Sequence, residues 1–126
     1  MIGEIRKALT PFYDLRAQRM SFKSRPALLI AKADDFDYVA LPVSSITRRE
    51  NLNPTYDIEI DPAAYPNLNL RAVSYARTHK QTIVNAREIG GLISNMEKEY
   101  PDLYLLILEK REEFSKEVSK QALDIV

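Results

Sequence analysis

The chain contains no cysteine, no tryptophan, one histidine (His79) and three glycines among its 126 residues. Without thiols there is no disulfide scaffold, no thiol nucleophile and no thiolate zinc site, a usage that suits a reducing compartment. One imidazole does not make a multi-histidine metal centre. Scarce glycine leaves no phosphate-cradling loop, and neither a nucleophile elbow nor an HExxH pair is present, so no metal or cofactor is expected. Apolar runs are also short. The longest purely apolar one, Leu103 to Leu108, falls far below the roughly 18 residues of a membrane span, and Glu4, Arg6 and Lys7 interrupt any N-terminal signal core. No membrane contact and a cytoplasmic location are the expectation.

What the chain does have is 45% hydrophobic and 29% charged residues, the composition of one globular domain spanning 1–126. Net charge is zero, but its placement is uneven. Residues 1–49 carry nine Lys/Arg against five acids, 9 − 5 = +4, whereas residues 96–126 carry five bases against eight acids, 5 − 8 = −3. A polyanion would be drawn to the first region and repelled by the second, although scattered Lys and Arg also serve simply as solvated surface.

Ile2, Ile5 and Ala8 open a short strand, and the polar, arginine-containing stretch from Pro11 to Ser24 reads as a long loop. Pro26-Ala27-Leu28-Leu29-Ile30-Ala31 suits a strand buried on both faces, and Tyr38 to Val43 follows after the solvated turn Asp34-Asp35 as its hairpin partner. Pro42 donates no ladder hydrogen bond and belongs near a strand edge or end. Tyr56 to Asp61 alternates apolar with acidic residues, which predicts inward Tyr56, Ile58 and Ile60. Ala72 to Tyr75 and Gln81 to Val84 supply further strands, making a small, mostly antiparallel barrel over 1–90. Gly90-Gly91 reads as a chain reversal into a helical part, 91–126. There Leu92, Met96 and Tyr100 recur every fourth residue. A helix of about 24 residues from Asp102 is predicted to bury Leu103, Leu106, Ile107, Phe114, Val118, Ala122 and Ile125, with Glu112 and Lys116 spaced to pair.

The residues with chemical interest are Lys23-Ser24-Arg25-Pro26 before one buried strand and Pro42-Val43-Ser44-Ser45 after the next. In this arrangement the sequence resembles the MazF/PemK (Kid) family of toxin endoribonucleases. Arg25-Pro26-Ala27-Leu28-Leu29-Ile30 matches its Arg-Pro and apolar strand, and Leu41-Pro42-Val43-Ser44-Ser45 its Val-Pro-x-Thr-Ser signature. Ile58-Glu59-Ile60-Asp61 matches an alternating strand ending in Ile-Asp, Gln81 to Ile89 the terminal Arg-Thr-Ile-x-x-x-Arg-Leu stretch, and Ile2-Gly3-Glu4-Ile5 the opening. The likeness covers roughly residues 2–100. Ser44 stands where the family usually has threonine, Gln81 replaces an arginine, Thr78-His79 replaces Asp-Gln, and Tyr13 to Phe22 differ from the family's glycine-bearing loop.

The resemblance implies a mainly β fold with C-terminal helices, a small SH3-like barrel of the MazF/PemK/CcdB type. It also implies metal-independent cleavage of single-stranded RNA, a homodimer with a basic groove, and a cognate antitoxin whose acidic tail occupies that groove. Arg25 and Ser44 are the expected catalytic pair. RNA supplies its own 2′-hydroxyl nucleophile, so alignment and charge balance suffice, and a guanidinium donates in a planar fork to two phosphate oxygens. Lys23, Ser45, Thr47, Arg48, Arg49, Arg77 and Gln81 are the expected RNA-binding residues. His79 titrates near neutrality but lies off the matched positions, where a structural role competes with a proton shuttle. Tyr13, Tyr38, Tyr56, Tyr65 and Tyr75 are candidates either for base stacking or for packing. The acidic C-terminal helix is expected to shield the basic region or reach a partner. Two alternatives stand beside the nuclease: the same barrel binding RNA or protein without cleavage, and a toxin that poisons DNA gyrase through its last helix.

Overall fold

The computed structural model describes residues 1–124; Ile125, expected on the helix stripe, lies outside the described residues. The chain opens with β1 (Glu4–Asp14) and β2 (Arg19–Lys32), paired antiparallel without interruption from Ile5↔Leu28 to Asp14↔Arg19. The loop expected over 11–24 is therefore a second half of this hairpin. Asp14 Oδ1 accepts from the backbone N–H groups of Arg16 and Ala17, and Gln18 takes a left-handed φ of 53°, which closes the turn. The strand was hard to read because this half has no core to face. Its alternation instead puts Leu9, Pro11, Tyr13, Met20 and Phe22 on one face of a projecting two-stranded arm. Leu9, Tyr13, Met20 and Phe22 are exposed there.

β3 (Asp37–Ser44) continues the sheet beside β2, after a turn in which Asp34 Oδ1 accepts from the N–H groups of Phe36 and Asp37. The other edge of β3 is shared by two strands, β6 (Thr82–Asn85) over residues 37–40 and β5 (Ser74–Arg77) at Val43 and Ser44. Pro42 falls at the changeover between them, where no ladder donor is required. β4 (Asp57–Ile60) pairs with β5, and β7 (Ile89–Asn95) pairs with β1 across two register shifts.

The resulting order is β4-β5-β3-β2-β1-β7, with β6 on β3. A single 3₁₀ turn, Ala86–Glu88, joins β6 to β7, so the sheet curls back on itself. Ala8, Ala27, Leu29, Ala40 and Val84 fill the inside of the curl, and the prevalence of alanine lets the strands approach closely. The opposite face is the larger core. There Ile5, Leu28, Leu41, Val43, Ile60, Leu68 and Ala76 meet Met96, Leu103, Tyr104 and Ile107 from the helices. The fold is mainly β with C-terminal helices.

Gly90 and Gly91 lie within β7 rather than at a reversal, and the helix predicted from Gly91 begins only at α1 (Met96–Glu99). The fourth-residue spacing of Leu92, Met96 and Tyr100 straddles a strand–helix junction at Asn95, whose side chain caps the N–H of Lys98. α2 (Pro101–Ala122) is 22 residues long, about 33 Å at 1.5 Å per residue. It buries Leu103, Tyr104 and Ile107, while Leu106, Val118 and Ala122 are exposed, contrary to the predicted stripe. Phe114 is its last core-facing aromatic, packed edge-on against Tyr56 at 5.1 Å between centroids. Past that point the sheet offers no surface to cover. Lys110 pairs with Glu113 at 3.1 Å and Arg111 lies 4.0 Å from Glu112, so the expected Glu112–Lys116 pair does not form. No described helix is long and apolar enough to cross a membrane.

Candidate functional site

β2 and β3 bring the two key side chains together. Ala27↔Pro42 is the last register pair between them, and two further steps along each strand set Arg25 level with Ser44. Both line a cleft of two joined lobes that share Arg25, Ser44 and Ser45. The larger lobe encloses about 540 Å³ and has an aliphatic wall of Pro26, Val43, Leu70, Ala72 and Ile93. The smaller, about 440 Å³, is walled by Ile46, Thr47, Arg48, Asn51, Arg77 and Lys80. Arg25 is exposed and its guanidinium sits over the Phe12 ring at 5.7 Å, which holds it without a carboxylate partner.

The electrostatics of this cleft are one-sided. Lys7, Lys23, Arg25, Arg71, Arg48 and Lys80 line it with side chains that make no ion pair among the described residues, and no carboxylate is in the lining. Like charges held this close raise the local potential, and an incoming polyanion relieves it. Hydroxyl donors at Ser44, Ser45 and Thr47 complete a surface suited to phosphate oxygens.

Arg77 is a special case. Its Nε donates to the buried Asp57 at 3.0 Å and its Nη2 to Asp57 at 3.4 Å and to the Asn51 carbonyl at 3.2 Å. The Asp57 side chain has no exposed surface. It was expected on the solvated side of its strand, yet it accepts from Arg77 and, at 2.8 Å, from the Asn53 N–H, and these bonds offset its desolvation. Arg77 thus reaches the cleft already neutralised.

His79 lines neither lobe. It packs against the Tyr56–Phe114 pair, 6.1 Å from each ring, with Nδ1 3.7 Å from Asp57 and without a hydrogen-bond partner among the described residues. Burial holds its pKa below the usual 6.5, Asp57 opposing that shift and Arg77 and Lys80 reinforcing it. This is packing geometry, not that of a shuttle at the cleft.

Of the residues predicted from sequence, Arg25, Ser44, Lys23, Ser45, Thr47, Arg48 and Arg77 meet in the cleft. Gln81 does not: it accepts a 2.5 Å hydrogen bond from Arg111 of α2. Arg49 opens the 3₁₀ turn Arg49–Asn51 and lines neither lobe. No tyrosine lines the cleft. Tyr56 and Tyr65 pack edge-on against Phe114 and Tyr100, Tyr38 lies under Lys32, and Tyr13 is on the arm. Nor does any described residue of α2 line it, so the described part of the acidic helix does not enter this cleft.

Lys7, Arg71, Lys80, Asn51 and Asn69 were missed. Lys7 was masked by its place in a core strand, and Arg71 sits in a turn-rich stretch that only the folded chain brings beside Arg25. Among the described residues no cluster of three His, Asp or Glu side chains forms a metal site. No protein-family model matches the chain and no curated protein matches it.

Proposed function

We propose that the cleft binds single-stranded RNA and cleaves it at a phosphate seated against Arg25 and Ser44. The observation that supports this reading is that Arg25 and five further cations, none paired with an acid among the described residues, gather around that hydroxyl. The 2′-hydroxyl attacks the adjacent phosphorus and gives its proton to solvent water, the bond to the 5′-oxygen of the next nucleotide breaks and that oxygen takes a proton from water to leave as a hydroxyl, and a 2′,3′-cyclic phosphate forms. Arg25 balances charge on the pentacoordinate phosphorus, and Ser44 orients a non-bridging oxygen or the attacking hydroxyl. The resemblance to the MazF/PemK family implies an antitoxin whose acidic tail these cations would receive and a homodimer, for which the exposed apolar face of the arm would serve as the contact surface.

A second reading, binding without cleavage, is favoured by one feature. The lining holds no imidazole or carboxylate to take the proton from the 2′-hydroxyl. Incubation of labelled single-stranded RNA with wild type, Arg25→Ala and Ser44→Ala in chelator separates the two. Cleavage to cyclic phosphate that falls about 10²-fold or more in Arg25→Ala, with folding intact, supports the nuclease. RNA loss equal in wild type and Arg25→Ala rejects it.

A further inference from the structure

The two lobes of the cleft differ in kind, and the difference points to what enters each. The smaller is walled by polar and charged groups apart from Ile46, while the larger has aliphatic side chains from Val43, Leu70, Ala72 and Ile93 behind a cationic rim. A run of phosphates needs only the first; an aliphatic wall beside a phosphate site suits a flat ring. We propose that the larger lobe seats one nucleobase of the bound strand and that Asn69 selects a base bearing an exocyclic amine. This rests on the RNA reading above.

Asn69 is set for that task by its backbone. It caps the 3₁₀ turn Pro66–Leu68 in the left-handed region at φ 58° and ψ 32°, a conformation asparagine tolerates better than most residues. Its Nδ2 donates to the Ile93 carbonyl at 2.9 Å. That bond fixes which end of the amide is nitrogen, so Oδ1 is turned away from Ile93, and it accepts nothing among the described residues.

A base lying on the aliphatic wall meets three things. Arg71, which has no ion-pair or hydrogen-bond partner among the described residues, can stack its guanidinium on the open face of the ring. Arg25 and Ser44 at the shared mouth hold the attached phosphate. Asn69 Oδ1 accepts from the exocyclic amine of adenine, cytosine or guanine, whereas uracil carries a carbonyl oxygen in place of such an amine, with its single N–H set between two carbonyls, and leaves that bond unmade. Phosphate contacts fix position and this one contact carries sequence.

The test is fluorescence anisotropy with labelled octamers of A, C and U carrying 2′-fluoro ribose, which cannot undergo transesterification. One hydrogen bond made or lost corresponds to a preference on the order of fivefold for A and C over U in the wild type. Asn69→Gly keeps the left-handed backbone and should bring that ratio to one with U binding unchanged; Ala72→Leu, which fills the lobe, should also abolish it. Equal binding of all three octamers by the wild type, or a preference that survives in Asn69→Gly, overturns the base seat and leaves the RNA reading standing. Failure to bind any octamer overturns the RNA reading and the seat with it.

Discussion

Salt dependence is the sharpest test of the cleft, because it counts charges rather than inferring them. Six cations, Lys7, Lys23, Arg25, Arg48, Arg71 and Lys80, line it without a carboxylate partner among the described residues. Arg77 is left out because Asp57 already neutralises it. Each phosphate neutralised on a single strand contributes about −0.7 to the slope of log K against log salt, so full engagement gives a slope of about −4. Between about 50 and 200 mM salt the wild type then loses on the order of 300-fold in affinity. Removing Arg48 and Lys80 together should flatten the slope to about −3 and the loss to about 50-fold. Lys116→Ala with Lys120→Ala, on the exposed end of α2, serves as the control and should leave the slope alone. Anisotropy titrations of a labelled oligomer at four or so salt concentrations measure all three. A wild-type slope near zero, or an equal change in the α2 control, would refute the argument that this cleft gathers the phosphates.

Three further outcomes follow from the packing around it. Arg77→Met leaves the fully buried Asp57 carboxylate with only the Asn53 N–H, and denaturant unfolding should show a loss of about 3 kcal/mol, largely recovered in the Asp57→Asn, Arg77→Met double variant. His79 has a folded pKa below 6.5, so as pH falls the unfolded chain takes the proton first. Stability present above that value should decline on acidification toward the lower folded pKa, and thermal melts of His79→Phe should show a flatter pH dependence. Gly3 adopts φ 88°, with a Cβ position only 2.6 Å from the Cβ of Glu97; Gly3→Ala should cost at least about 1–2 kcal/mol in the same unfolding assay.

The parts of the fold legible in sequence are those where burial and period coincide. Ala27 to Ile30 and Tyr38 to Val43 read as strands because their apolar residues face both the inner and the outer core. The arm, by contrast, carries the right alternation but no buried side, so polar and proline content outweighed periodicity in the reading. The helix boundary slipped for a related reason. Leu92 and Met96 share a spacing by coincidence, one being exposed on β7 and the other buried on α1, and no one-dimensional pattern separates the two.

The candidate site divides in the same way. Arg25 and Ser44 were legible because each lies within two residues of a proline at one end of an apolar strand segment, and strand register then carries them to one level. Arg71 and Asn69 were not, since they come from a turn-rich segment held in place by contacts distant in sequence, with Leu68 in the main core and Asn69 bonded to Ile93 of β7. Gln81 and Arg77 show the converse: residues in the right part of the chain whose polar groups Arg111 and Asp57 have already engaged. A basic residue therefore counts toward polyanion binding only after its internal partners are known. By that criterion the cleft's six free cations carry more weight than the +4 charge of the N-terminal region from which the reading began.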